Sequence, residues 1–376
     1  MLKIAIVANT PPPYRVPVFQ RLSRMADVNL QVIFCSRREP NRLWDLPPFD
    51  FNHIFLREHF IRVKERYIHN NPSVIGRLRE FAPDVIVADG FNPTHLYAFA
   101  YARARRIAYV PMTDGTIQSE QALSMVHRMV RRIIYPRSGA FLSASSGGNA
   151  LYESYGAPPE KCFKSCLCID NDAYMPKPGA QDIEHDFIFC GRMEPGKSPV
   201  FALDVALEVA RRLHRKVSIL FVGSGSQEEN VRRAASLQPD LVEARFHGFA
   251  AQRALPALYR SARIFLFPTL ADVWGVVANE ACAAGLPVIV SPHAGVAGEL
   301  VIDGDNGFVH ELDVSLWAER AILLLTQPAL SQRFSARSLS LVRGYTFDKA
   351  AAGLLDACRA ALSISADGQP AVKERH

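Results

Sequence analysis

Short aliphatic runs alternate with longer helical patterns along almost the whole chain, and the alternation starts afresh after about residue 180. In the first set, IAIVAN, LQVIFC, DVIVADG, IAYVPM and AFLSAS read as buried parallel strands. Helical stretches such as PVFQRLSRM, PSVIGRLREF and THLYAFAYARARR separate them. In the second set the strands are FIFCGR, KVSILFVG, ARFHGF, ARIFLFPT and LPVIVS. Their intervening helices include FALDVALEVARRL, EENVRRAASL, ALPALYRSA and GVVANEACAAG. Strands and helices in strict alternation imply right-handed βαβ units and parallel sheets. The expected fold class is therefore α/β, with two Rossmann-like doubly wound domains facing a cleft. Ligands of such sheets bind outside the carboxyl ends of the strands, so residues just after strands are the ones to examine.

The first domain is expected over 1–175 and the second over 176–345. The break falls in DNDAYMPKPGAQDIEHD (170–186), which has two prolines, a glycine, mixed charge and no periodicity. The remainder, 346–376, reads as a helix near DKAAAGLLDACRAALS that crosses back to the first domain, then a polar tail from Ala366 that frays.

A chain of 376 residues has room for two domains, and 49% apolar with 21% charged residues excludes disorder. No apolar run approaches the roughly 18–20 residues needed to span a bilayer. The opening MLKIAIVANT is too short and too early interrupted for a secretory signal. The expected location is the cytoplasm, with peripheral contact at the inner face of the membrane kept open. Cys35, Cys162, Cys166, Cys168, Cys190, Cys282 and Cys358 are odd in number and irregular in spacing, which suits reduced thiols better than a disulfide framework. Cys162, Cys166 and Cys168 lack a fourth neighbour and match no common zinc spacing.

Charge is unevenly placed. Residues 1–178 hold 23 Lys and Arg against 15 Asp and Glu, a net of +8, and the remaining 198 hold 20 against 22, a net of −2. The first half therefore suits an anionic partner: a membrane surface, an acidic substrate or, less readily, nucleic acid.

Three segments of the second half carry chemistry. In FLFPTLADVWGVVANEACAAGLPVIVS (265–291) a strand ends at Phe267, a loop presents Asp272, and a helix opening near Gly275 carries Glu280. Gly275 leaves the first helical turn open, and that turn's N–H groups and dipole suit a phosphate or sugar oxygen. Glu280 inside an apolar helix needs a partner, and ribose hydroxyls would serve. The alternative is a loop Asp and a solvent-facing Glu. In FIFCGRMEPGK, Arg192 and Lys197 on a glycine-bearing loop would clamp a diphosphate, against the alternative of a solvated basic loop. In ILFVGSGSQEE, Gly223 and Gly225 follow a strand, but the third glycine and distal acid of a dinucleotide fingerprint are missing, which disfavours a nicotinamide or flavin enzyme.

As an ordered set, GRMEPGK, VGSGS, HGF, DVWGVVANE and GLPVIVSPHAGVAGELVIDGDNGFV resemble the family 4 glycosyltransferases, retaining enzymes of GT-B architecture that use nucleotide sugars. The resemblance covers nearly all of 186–345. It implies that Arg192 and Lys197 hold the donor diphosphate, that Glu280 binds the ribose, and that Gly223, Gly225, His247 and Phe249 lie at the base. It also implies that Asp272, with the backbone of Trp274, Gly275 and Val276, contacts the donor sugar. Asp272 stands where the family usually has Glu, which shortens the reach by about 1.5 Å.

The first half matches more loosely. Pro11, Pro12 and Pro13 stand where a Gly-Gly loop is common, and Arg15 is a candidate for an acceptor or phosphate contact, against surface salt-bridging. Asp114 in VPMTDGTIQSE stands where many relatives have a histidine near the reacting carbon, and Glu120 is expected close by. Both are catalytic candidates. The resemblance implies a hexosyltransferase acting in surface polysaccharide synthesis, with UDP-sugars ahead of GDP-sugars and a glycan or lipid-linked acceptor. A nucleotide-sugar epimerase of the same fold and a non-catalytic nucleotide-sugar-binding protein are the alternatives.

No cofactor or metal is expected. The triplets Asp170-Asn171-Asp172 and Asp303-Gly304-Asp305 sit at the interdomain stretch and in a turn, and the cationic clamp already neutralises a leaving diphosphate. His247 and His293 are the histidines nearest the cleft, without metal-ligand spacing. In HRMVRRIIYPR, Arg128, Arg131, Arg132 and Arg137 interleave with Met129, Val130, Ile133 and Ile134. This suits a basic amphipathic helix on anionic lipid, or a half-buried helix with a solvated basic face. Arg103, Arg105 and Arg106 close another helix. No nucleic-acid motif accompanies these charges.

Overall fold

The computed structural model describes residues 1–39, 48–63, 66–121, 123–176 and 183–367. The chain forms two compact units, Met1–Leu167 with Phe347–His376, and Cys168–Thr346.

The first unit is built on a wholly parallel sheet. Its strands are β1 (Leu2–Ala8), β2 (Val28–Phe34), β3 (His53–Phe55), β6 (Val85–Ala88), β7 (Ala108–Thr113), β8 (Phe141–Ser143) and β9 (Cys162–Lys164), and a separate antiparallel hairpin pairs β4 (Phe60–Val63) with β5 (Arg66–His69). The sheet order is β3-β2-β1-β6-β7-β8-β9. Central strands β1 and β6 are buried on both faces, which is why they read as unbroken aliphatic runs. The order reverses direction between β1 and β6, and the loops leaving those two strands flank the crevice where such sheets bind ligands. The C-terminal helix Phe347–Asp367 belongs to this unit and packs on the helix Val16–Ser23 and on β7 and β9. Contact there is close: a Cβ on Gly353 would stand 1.8 Å from the Lys164 carbonyl oxygen.

The second unit repeats the plan with β10 (His185–Cys190), β11 (Val217–Val222), β12 (Val242–Gly248), β13 (Ala262–Phe267), β14 (Val288–Val290) and β15 (Gly307–Val309), in the order β12-β11-β10-β13-β14-β15. Phe187, Phe189, Ile219, Phe221, Ile264 and Leu266 form its sheet core and meet Trp317 and Phe334 from covering helices. Here the reversal lies between β10 and β13.

All ten strands legible in the sequence are present. Three further edge strands of three residues each, β3, β9 and β15, extend the sheets. The contacts change unit at Leu167/Cys168, ahead of the 175/176 break read from the sequence. Asn171–Tyr174 is a helical turn whose Tyr174 is buried in the second unit. Residues 177–182 of the stretch read as linker, and 368–376 of the tail, lie outside the described residues. Among the described residues no helix is long and apolar enough to cross a membrane, and all seven cysteines are free thiols.

Candidate functional site

Two polar centres stand at the two switch points, one in each unit. In the second unit the loop after β10 carries Gly191, Arg192 and Glu194 into the short 3-10 turn Pro195–Lys197. The Met193 N–H donates to the Ser224 carbonyl at 2.9 Å, and the Gln227 N–H to the Met193 carbonyl at 2.8 Å. Glu194 accepts from the Ser226 hydroxyl at 2.6 Å and the Ser226 N–H at 3.1 Å. These bonds hold its carboxyl below the ordinary range, with Arg192 adding to the effect. The β10 loop and the GSGS loop are thus one tied structure. Gly223 permits it: φ is +124°, and a Cβ there would stand 2.0 Å from the Gly191 carbonyl oxygen. Arg192 is exposed and makes no hydrogen bond or ion pair among the described residues.

Lys197 reaches across to the loop after β13. Its Nζ donates to Asp272 Oδ2 at 2.6 Å, to the Thr269 hydroxyl at 3.2 Å and to the Ala271 carbonyl at 3.2 Å. The other carboxylate oxygen of Asp272 accepts the Trp274 N–H at 3.2 Å. Backbone bonds from the Asp272 N–H to the His293 carbonyl, and from the Gly295 N–H to the Asp272 carbonyl, pin this loop to the segment after β14. Trp274 is fully buried and donates its indole N–H to Asn279 at 2.8 Å. Gly275 then opens the helix Val276–Ala283 with φ +102°, and its missing Cβ would stand 2.4 Å from the Phe267 ring. The first N–H groups of that helix have no partner inside it, which leaves donors and a positive dipole end beside a lysine. The arrangement can hold an anion between Arg192, Lys197 and the helix start, with Asp272 as an acceptor for hydroxyl groups.

Glu280 lies one turn further in and is 6% exposed, which excludes a solvent-facing side chain. Its partners are two phenols: Tyr259 donates to Oε2 at 2.8 Å and Tyr174 to Oε1 at 3.1 Å. Burial pushes its carboxyl up to about 7, and the two phenol hydrogen bonds pull the other way. Neither tyrosine announces this pairing in the sequence, since Tyr174 sits in the stretch read as linker. His247 lies exposed on edge strand β12, and Phe249, just beyond it, is an exposed ring. His293 bonds Glu311 at 3.1 Å. Asp303 accepts the Val309 N–H, and Asp305 takes a two-pronged bond from Arg337, so both carboxylates of that triplet are engaged in turn structure.

In the first unit a cavity of about 210 Å3 opens between the loops after β1, β6 and β7. Asn9, Tyr14, Arg15, Glu39, Asp89 and Asp114 supply its polar groups. Arg15 is a buried residue, not a surface one. Its guanidinium donates to Asp114 at 2.7 Å and to the carbonyl and hydroxyl of Ser165 at 2.8 and 3.0 Å. Asp89 was missed in the sequence although it directly follows β6, the position where such sheets place functional residues. It accepts from the Asn9 N–H at 3.2 Å and from the fully buried His95 ring at 3.0 Å. The sequence expects Glu120 close to Asp114; in the structure each has its own cation, Arg15 for Asp114 and Arg131 for Glu120. Glu120 is buried against Arg131, 3.2 Å away, accepts the Tyr155 hydroxyl at 2.6 Å, and lines a different recess. A buried carboxylate with a cation and a phenol in contact has its partners already.

Residues 170–339 match the family described as glycosyl transferases group 1. This stretch belongs to the group 1 glycosyl transferases. The match takes in the Arg192–Lys197 loop, the GSGS loop and the whole of the Asp272–Glu280 element. The chain is 32% identical over 235 residues to a D-inositol 3-phosphate glycosyltransferase of Frankia alni, covering 57% of each protein. It is also 32% identical over 272 residues to a glycogen synthase of Mycobacterium tuberculosis, covering 69% of this chain and 64% of that one. The chain spans about half the length of the first curated relatives it matches. Among solved structures, Anabaena HepE in complex with UDP and glucose has a TM-score of 0.71 at 16% identity, over 95% of this chain and 100% of that one. A sucrose-phosphate synthase of Thermosynechococcus elongatus gives 0.71 at 16%, over 97% and 100%. The fold is that of the GT-B glycosyltransferases.

Proposed function

We propose that this protein is a hexosyltransferase that moves a sugar from a nucleoside diphosphate to a glycan or lipid-linked acceptor, with retention at the anomeric carbon, in surface polysaccharide synthesis. The observation that carries the reading is the group around Lys197: a lysine, the exposed Arg192 and an open helix start converge at the switch point of a group 1 unit, with a carboxylate 2.6 Å from the lysine. Arg192 and Lys197 take the diphosphate, whose two phosphates replace Asp272 as the anion facing Lys197. Asp272 then accepts sugar hydroxyls, with the backbone of Trp274, Gly275 and Val276 completing that side. Glu280 receives the ribose with whatever acceptor capacity its two phenols leave. Gly223 and Gly225 keep the floor open, and His247 and Phe249 border the base. A neighbour of the same fold holding UDP favours UDP-sugars over GDP-sugars.

In the first unit the Arg15–Asp114 pair holds the acceptor, and Asp114 orients its hydroxyl. Glu120 keeps the structural part its partners describe. The bond from the anomeric carbon to the diphosphate breaks while the acceptor oxygen bonds the same face, and the acceptor proton passes to the departing phosphate oxygen. Two cations offset the charge that develops there, so the reading requires no divalent ion.

The test is melting with UDP-, GDP- and ADP-sugars, with and without magnesium, for wild type and Arg192→Ala. A ligand at 100 times its dissociation constant adds about 2.7 kcal/mol. One nucleotide should raise the melting temperature without metal, and Arg192→Ala should abolish the shift. Asp272→Ala should lose turnover, and proton NMR of the wild-type product should show the donor's anomeric configuration. No shift with any nucleotide, or full turnover in Asp272→Ala, would overturn the site as assigned.

A further inference from the structure

The helix Met125–Ile134 in the first unit is inside out. Its inward side carries Arg131, paired with Glu120 and lying 4.6 Å over the Phe91 ring, together with the buried Ile134. Its outward side carries Met125, Val126, Met129 and Ile133, which are 78, 67, 55 and 49% exposed. At 3.6 residues per turn these four fall within one arc of about 100°, with Arg128 and Arg132 along its edge. Ile117, also exposed, shares a recess of about 370 Å3 with Arg128 and Arg132. Scattered exposed aliphatics are ordinary, but four on successive turns of one helix form a surface with a purpose.

The surrounding charge says what covers it. Between Glu120 and Glu153 the chain has no acidic residue, while Arg128, Arg131, Arg132 and Arg137 all fall in that interval. Arg128 is tethered beside the apolar stripe by bonds to the Gln121 and Leu123 carbonyls at 3.3 and 3.1 Å, and Arg137 by one to the Ile133 carbonyl at 2.8 Å. A two-fold contact with a second copy would set Arg128 and Arg132 against each other, while the nearby Glu120 is buried on Arg131 and does not face such a contact. An anionic lipid surface meets both demands, since methionine and isoleucine side chains enter the acyl boundary while guanidinium groups stay among the phosphates.

We propose that Met125–Ile134 is a membrane-surface helix that docks the first unit on anionic phospholipid, with Met125, Val126, Met129 and Ile133 inserted and Arg128 and Arg132 at the headgroups. The proposal stands on this surface alone and is independent of the donor-site reading.

The experiment is co-sedimentation of the full chain with vesicles of phosphatidylcholine alone and of phosphatidylcholine with phosphatidylglycerol in equal parts. Wild type should sediment with the mixed vesicles and not with the neutral ones, and added salt should release it. Each arginine near the surface contributes about fivefold in affinity, so Arg128→Gln with Arg132→Gln should weaken binding about 30-fold. Met129→Ser with Ile133→Ser should abolish it. Both pairs of positions are exposed, so an unchanged melting temperature shows that the variants are folded. Wild type left in the supernatant, or bound equally to both vesicles, overturns the proposal. So does a dimer in analytical ultracentrifugation that Met129→Ser with Ile133→Ser dissociates, which would make the stripe a contact between copies.

Discussion

Glu280 makes the stability of the second unit depend on pH in a direction opposite to that of most carboxylates. In the unfolded chain it titrates at an ordinary value of 4.5, whereas burial in the fold raises it to about 7 against the pull of Tyr259 and Tyr174. Between those values the folded protein holds a proton that the unfolded chain has already released. Stability from this residue is therefore fully present below pH 4.5, falls as pH rises through the window, and is lost above 7. At 1.36 kcal/mol per unit the fall amounts to about 3 kcal/mol. Glu280→Gln keeps the shape and a hydrogen-bonding oxygen but cannot ionise, so its curve lacks the fall. The check is urea denaturation of both proteins, followed by the fluorescence of buried Trp274 and Trp317, at intervals from pH 5 to 8. Glu280→Gln should lose ground at the acid end and match or exceed wild type at pH 8, the difference between them moving by about 3 kcal/mol. Tyr259→Phe removes a hydrogen bond to the charged form and should displace the fall to higher pH. Parallel curves for wild type and Glu280→Gln would refute the argument, because they would mean that Glu280 ionises alike in the folded and unfolded chain.

Gly275→Ala puts a methyl into the Phe267 ring at a left-handed backbone position. It should cost about 2–4 kcal/mol in urea denaturation, from overpacking together with backbone strain. Gly298→Ala, also left-handed but with open space around it, should cost only the backbone part, so the difference between the two isolates the ring contact. Arg131→Met leaves Glu120 buried without its cation and should destabilise the first unit by about 3 kcal/mol. The melting shift given by a nucleotide should survive that change, whereas a catalytic Glu120 would lose turnover with little loss of stability.

Local pattern carried ten strands, most of them because parallel strands buried on both faces must be aliphatic throughout. It did not carry the three-residue edge strands β3, β9 and β15, which are less buried than the equally short β8 and β14. The Arg192–Lys197 loop and the Asp272–Gly275 turn were legible for a related reason: glycine after a strand marks a close approach, and the cations sit beside it in sequence. Partners distant in sequence were not. Glu280 meets Tyr174, 106 positions away, and Arg15 meets Ser165, 150 positions away. Nothing in either neighbourhood names the other. HRMVRRIIYPR shows the remaining limit, since its period of 3.6 identifies two faces but not which of them the fold turns inward. Packing against Glu120, Tyr155 and Phe91 settled that in favour of an arginine.

The helix Phe347–Asp367 makes the second unit an insertion within the first. During synthesis the residues of Cys168–Thr346 leave the ribosome as an uninterrupted block and can fold as they emerge. The first unit must wait, with β7, β9 and the helix Val16–Ser23 uncovered, until the last stretch arrives to close over them. A message truncated shortly before codon 347 would therefore yield an intact second unit attached to a partner with an open apolar flank. Chaperones and proteases would recognise that flank first, so the first unit, and not the inserted one, would mark such a fragment for removal.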